Sequence, residues 1–253
     1  MRHLIATALL AFALLPLRPA AAQELLSAPP AQADTPRPLQ PFVASYQVFH
    51  EGRELGLATL QVVPLQGDRW RVDMVMKGQG LMRLTGLNLE QSTVFERKGE
   101  DYRPLTQATA RRAFLSRRST TGVYDWAARS ARWSGDVKKG RAGPVALQDG
   151  DMSGLLIDLA LVRDAAPGST LRYRFVDDGR ARDHLWIVAP QTESVTVDGL
   201  SYDTMRADRQ QDGGDETTIW VAAGVPTPIR ILQREDGQDS TDLRLVEYKG
   251  AMP

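Results

Sequence analysis

The chain has 253 residues, 31 Lys and Arg against 31 Asp and Glu, and no cysteine. Without thiols there are no disulfides, thiolate metal sites, cysteine nucleophile or lipidated N-terminal cysteine. A net charge of zero argues against a general nucleic-acid binder, which needs a basic surplus to neutralise phosphates. An apolar fraction of 42% beside 25% charged residues is that of a folded globular protein.

Residues 1–22 read as an export signal. Arg2 and His3 open it, Leu4 to Leu17 is almost wholly apolar, and Ala20-Ala21-Ala22 supplies the small side chains of a cleavage site. The apolar run is too short to span a bilayer, and Pro16, Arg18 and Pro19 interrupt it. Cleavage before Gln23 removes Arg2 and Arg18 and leaves a slightly negative chain. No second long apolar stretch follows, so no transmembrane segment is predicted in the mature chain. A periplasmic location is expected, with secretion as the alternative. Residues 23–41 carry Pro29, Pro30, Pro36, Pro38 and Pro41 and read as a disordered leader.

From 42 to about 250 the pattern is that of a single β-rich domain. At 69–77, Trp70, Val72, Met74 and Met76 share one face, with Arg71, Asp73 and Lys77 on the other, the alternation of a half-buried strand. Further strands are predicted at 43–49, 57–63, 89–96, 103–115 and 120–126, with a short one at 131–134. In the C-terminal half they fall at 170–176, 184–188, 194–198, 201–209, 216–222, 228–233 and 241–248. Asp198-Gly199 and Asp236-Gly237 suit tight hairpins, and consecutive strands joined by short turns form an antiparallel meander.

One segment breaks the period. Met152, Leu155, Leu156, Leu159 and Arg163 keep helical spacing, with Ile157, Ala160 and Val162 also apolar. This predicts one buried helix at about 152–164, capped by Asp149 or Asp151 and ended by Pro167-Gly168. The fold class is therefore mainly β: a strongly curved antiparallel sheet or incomplete barrel, its hollow face plugged or covered by that helix.

Tyr46-Gln47-Val48 with Gly52 and Gly56, Tyr124-Asp125-Trp126, Asp151, Ile219-Trp220-Val221 and Pro226-Thr227-Pro228-Ile229-Arg230 occur in an order that resembles the exported bacterial family called domain of unknown function 3108. The resemblance covers about residues 42–248. It implies an envelope location and a mostly β fold, and no activity. At the level of fold alone, the pattern is also similar to periplasmic lipoprotein carriers.

No catalytic or metal site stands out. His50 and His184 fall in separate predicted strands with no other His or Cys nearby. No Gly-x-Ser-x-Gly elbow, phosphate loop or dinucleotide fingerprint occurs. The acidic groups Asp177-Asp178 with Asp183, and Asp212, Asp215 and Glu216, fit no calcium loop and read as hairpin tips. No cofactor is predicted. Two features remain. Residues 102–124 carry Arg111, Arg112, Arg117 and Arg118 without an acidic residue, which suits anionic lipid head groups or an acidic partner, or else a solvated hairpin. Trp70, Met74, Met76 and Met82 form an apolar set that either lines a lipid pocket of several hundred cubic ångströms or packs against the helix. The leading expectation is a non-catalytic binding or carrier protein for an apolar or lipid-like ligand. The alternatives are an envelope protein–protein interaction module and a hydrolase with an unrecognised site.

Overall fold

Alternation drives the structure from Phe42 onward. In β1 (Phe42–His50), Phe42, Ala44, Tyr46 and Val48 are 3% exposed or less, while the residues between them face away. The same rule builds β2 (Arg53–Pro64), β3 (Arg69–Gly78), β4 (Asn88–Lys98), β5 (Asp101–Ala113), β6 (Ser116–Asp125), β7 (Ser130–Gly135) and the two-residue β8 (Val145–Ala146). This computed structural model describes residues 39–80, 88–113, 116–211 and 213–250. The predicted export signal at 1–22, residues 23–38 of the predicted leader and Met82 lie outside them.

After β9 (Asp151–Met152) comes the helix α1 (Gly154–Asp164). It is followed by β10 (Thr170–Asp177), β11 (Arg180–Val188), β12 (Glu193–Val197), β13 (Leu200–Gln210), β14 (Glu216–Ala222), β15 (Arg230–Glu235) and β16 (Gln238–Gly250). All strands join one sheet, in the order β8-β7-β6-β5-β4-β3-β2-β1-β16-β15-β14-β13-β11-β10-β9, with β12 paired to β13 off that path. The first and last strands thus meet mid-sheet, with Tyr46 opposite Leu245 and Val48 opposite Leu243. The ladders are antiparallel except for β9 on β10. The sheet is strongly curved and does not close into a barrel. Bulges at Ser45/Tyr46, Val48/Phe49, Val94/Phe95 and Gln233/Arg234 contribute local bends.

Both Asp-Gly pairs make the expected hairpins. Asp198 and Gly199 have φ of 47° and 76°, and Asp236 and Gly237 have 49° and 76°. Two successive positive φ values match the right-handed twist of the flanking strands.

Helix α1 lies in the hollow. It touches β3, β4 and β5 on one wing and β10 and β14 on the other. Leu155, Leu156, Ile157, Leu159, Ala160 and Leu161 are buried, each large side chain contributing roughly 1.5–3 kcal/mol. A smaller cluster of Tyr124, Ala131, Trp133, Leu147 and Val176 sits apart from this main core.

Several predicted boundaries shift for identifiable reasons. The helix begins at Gly154 rather than 152, because Asp151 and Met152 are taken up in pairing with Arg174 and Phe175. Neither Asp149 nor Asp151 caps it. Ser153 is the N-cap residue, and its hydroxyl bonds Thr93 at 2.9 Å. Asp149 instead pairs with Arg129 at 3.0 Å, and Asp151 with Arg174 at 2.6 Å. The strand predicted at 228–233 runs Arg230–Glu235. Pro228 has no N–H for a ladder, and Ile229 instead donates its N–H to the Trp220 carbonyl at 2.7 Å.

Candidate functional site

The helix leaves part of the hollow unfilled. A cavity of about 590 Å³ is bounded by Met74, Met76, Leu89, Leu155, Ile231 and Leu243, with His50, Arg111 and Asp158 among its polar wall residues. It lies towards the end of the sheet where β1 and β3 finish and β16 begins. Next to it, a more polar cavity of about 240 Å³ has Asp177, Arg182, His184, Trp186 and Arg209 in its wall. Gln91, Leu155, Asp158, Ile231 and Gln233 line both. The hollow therefore holds two adjoining cavities, one apolar and one polar. Leu155 and Asp158, one turn apart on α1, stand at the join.

The electrostatics of the polar side follow from burial. Desolvation raises the Asp158 carboxyl from 3.8 to about 7, and the Arg209 guanidinium pulls it back only in part. Desolvation, then repulsion from Arg209 and Arg182, lowers the His184 imidazole to about 4, with Asp183 opposing. Its ring stacks on Phe175, centroids 4.8 Å apart. Burial also pushes the Asp177 carboxyl up. Two donors in this wall are buried without an acceptor among the described residues: the indole N–H of Trp186 and Nε of Arg209. Trp186 is 2% exposed.

The predicted site residues separate. Met74 and Met76 stand in the apolar wall, and Arg111 joins them there. Trp70 does not: it is partly buried against the main core, opposite Pro64 and Phe95. It lies four positions along the strand from Met74, roughly 13 Å, which moves it to the far end of β3. Met82 lies outside the described residues. The four arginines face one another across the β5–β6 hairpin, Arg111 opposite Arg118 and Arg112 opposite Arg117. Directly opposed residues share a face and successive ones alternate, so two arginines fall on each face and do not form one patch. Arg118 also donates to the Asp136 carbonyl at 3.2 Å.

Asp158, Trp186 and Arg209 were not singled out from the sequence. Asp158 alone had a readable signal, as the one charged side chain within the apolar run 155–162. Among the described residues, no group of three His, Asp or Glu is placed to hold a metal ion. No helix among them is long and apolar enough to cross a membrane.

The motif residues that suggested a family turn out to pin the fold. The Tyr46 hydroxyl donates to the Pro228 carbonyl at 2.8 Å and bonds the Thr227 hydroxyl, tying β1 to the segment before β15. The Tyr124 hydroxyl lies 2.7 Å from both Gln107 Oε1 and the Val176 carbonyl. Arg230 makes two bonds of 2.8 Å to Asp242 and lies 5.0 Å over the Trp220 ring. A Cβ at Gly56 would sit 2.0 Å from the Lys77 carbonyl oxygen, so only glycine fits that close approach.

Comparison with known proteins bears on the fold and the family. A crystal structure of a β-barrel-like protein of domain of unknown function DUF1849 from Brucella abortus is similar with a TM-score of 0.51. It is 11% identical, covering 85% of this chain and 99% of that one, a likeness of fold alone. A Vibrio parahaemolyticus domain described as an outer membrane lipoprotein-sorting protein domain aligns over 85% of this chain and 87% of its own, at 9% identity and a TM-score of 0.28. That value is too low to carry an argument. No curated protein matches the chain. The model of the family described as protein of unknown function (DUF3108) matches residues 44–244, most of the chain, and the chain belongs to that family.

Proposed function

We propose that this protein is a non-catalytic binding or carrier protein of the cell envelope that holds an apolar or lipid-like ligand in the hollow of its curved sheet. The observation that carries this reading is the cavity of about 590 Å³ walled by Met74, Met76, Leu89, Leu155 and Leu243. Its size falls within the usual range for small-molecule sites, roughly 300–1,000 Å³. Methionine side chains adapt to irregular apolar shapes, which suits a flexible chain more than a rigid ligand. The export signal at 1–22 supports a periplasmic setting.

Titration with the neutral dye N-phenyl-1-naphthylamine tests the cavity. The dye is expected to bind with a fluorescence rise, and Met76→Trp, which adds bulk on the cavity wall, to weaken it at least tenfold without loss of fold. No binding, or binding indifferent to Met76→Trp, would overturn the reading.

A second reading has one observation behind it. Asp158, held at about 7, shares the polar cavity with His184, and a carboxyl near neutrality is suited to general acid–base work. A hydrolase would cleave acyl-ester probes and lose that activity in Asp158→Asn. A carrier would do neither.

A further inference from the structure

The hollow is two-sided, and its polar side is built to receive something. Trp186 lines that side 98% buried, with an indole N–H that no described acceptor meets. A buried donor without a partner costs free energy, which a ligand acceptor would recover once the side chains enclosing the N–H part to admit it. Arg209 Nε, in the same wall, is a second such donor. Gly154 brings the start of α1 to this cavity. The first-turn amides there have no intrahelical acceptor. The side chain of Ser153, which would ordinarily cap them, is turned to Thr93. An uncapped helix start, an unpartnered guanidinium nitrogen and an unpartnered indole all ask for an acceptor; the helix dipole, Arg182 and Arg209 favour a negative one, against the carboxyls of Asp158 and Asp177 in the same wall, whose charge burial weakens.

We propose that the ligand is a single-chain amphiphile with an anionic head group. The head group accepts hydrogen bonds from Trp186 and Arg209 at the start of α1, and the chain lies along Met74, Met76 and Leu243. This inference rests on the carrier reading and narrows it to a ligand class. The five wall residues common to both cavities make them neighbours, so a chain in the apolar one needs to pass only Leu155 and Asp158 to bring its head group to the polar one. Carboxylate and phosphate head groups share the required chemistry.

Displacement of N-phenyl-1-naphthylamine by four amphiphiles of equal chain length tests this: a carboxylate, a phosphate monoester, an alcohol and a trimethylammonium. The anions are expected to displace the dye at least tenfold more tightly than the alcohol or the cation, and the better of the two anions identifies the head group. Arg209→Met and Trp186→Phe should each cut that preference at least fivefold. Trp186→Phe keeps the ring in the core, so it remains informative if Arg209→Met fails to fold. Equal binding of all four, or a preference that survives both substitutions, would overturn the head-group assignment and leave the carrier reading intact. Failure of every amphiphile, the alcohol included, would overturn both.

Discussion

Asp158→Asn removes a carboxyl that the fold holds protonated near neutrality. Its pKa moves from 3.8 to about 7 on burial. Between these values the native state keeps a proton that the unfolded chain has released, so wild-type stability falls as pH rises through that window. Each pKa unit is worth about 1.4 kcal/mol, so the full loss is about 4 kcal/mol and is complete by roughly pH 8. Asparagine has nearly the same shape and no charge. His184 acts in the opposite sense. Its folded value of about 4 lies below its ordinary 6.5, so stability rises with pH across that interval. The two slopes partly cancel in the wild type, and Asp158→Asn uncovers the histidine's rise. Urea denaturation of both proteins at several pH values measures the difference directly, because other titrating groups drop out of it. The variant should match the wild type near pH 4 and exceed it by up to about 4 kcal/mol near pH 8. A difference independent of pH, or a variant less stable at pH 8, would refute the assignment of Asp158 as a desolvated carboxyl.

Three further substitutions probe the pins of the fold. Tyr46→Phe strips a buried hydroxyl from Thr227 and the Pro228 carbonyl and should cost about 1–3 kcal/mol in urea denaturation; a neutral effect would mean the pair is not buried as described. Arg174→Met leaves Asp151, which is 0% exposed, without its cation and should cost about 3–5 kcal/mol in urea denaturation; a loss under about 1 kcal/mol would mean the pair is not buried as described. Gly56→Ala forces a Cβ against the Lys77 carbonyl oxygen. Amide hydrogen exchange should quicken where β2 meets β3 around Gly56 and Gly78, and unchanged protection there would contradict the close approach.

Local features were largely legible in the amino-acid sequence because they have a period or a turn signature. The alternation Trp70–Val72–Met74–Met76 marks β3, the spacing of Leu155, Leu156 and Leu159 marks α1, and the Asp-Gly pairs mark two hairpins. The meander of consecutive strands was legible too, but pairing between strands distant in sequence was not. Alternation tells which face a residue takes and not which strand lies beside it, so β1 meeting β16 left no local trace. The polar side of the hollow was hidden for the same reason. Asp158, Trp186 and Arg209 come from one helix and two strands, and only folding makes them neighbours. The apolar side was half visible: Met74 and Met76 share a face with Trp70, but distance along β3 takes Trp70 out of the cavity wall. The arginine run shows the reverse case. Its four side chains are close in sequence, and strand geometry divides them between two faces.

The most direct measurement is native mass spectrometry of the protein isolated from its own envelope after expression with its export signal. The expected species is a mature chain beginning at Gln23, carrying an added mass that organic solvent releases as a single-chain amphiphile and that Met76→Trp lacks. A chain that is repeatedly free of any such mass, or a Met76→Trp variant that carries the same load, would contradict it.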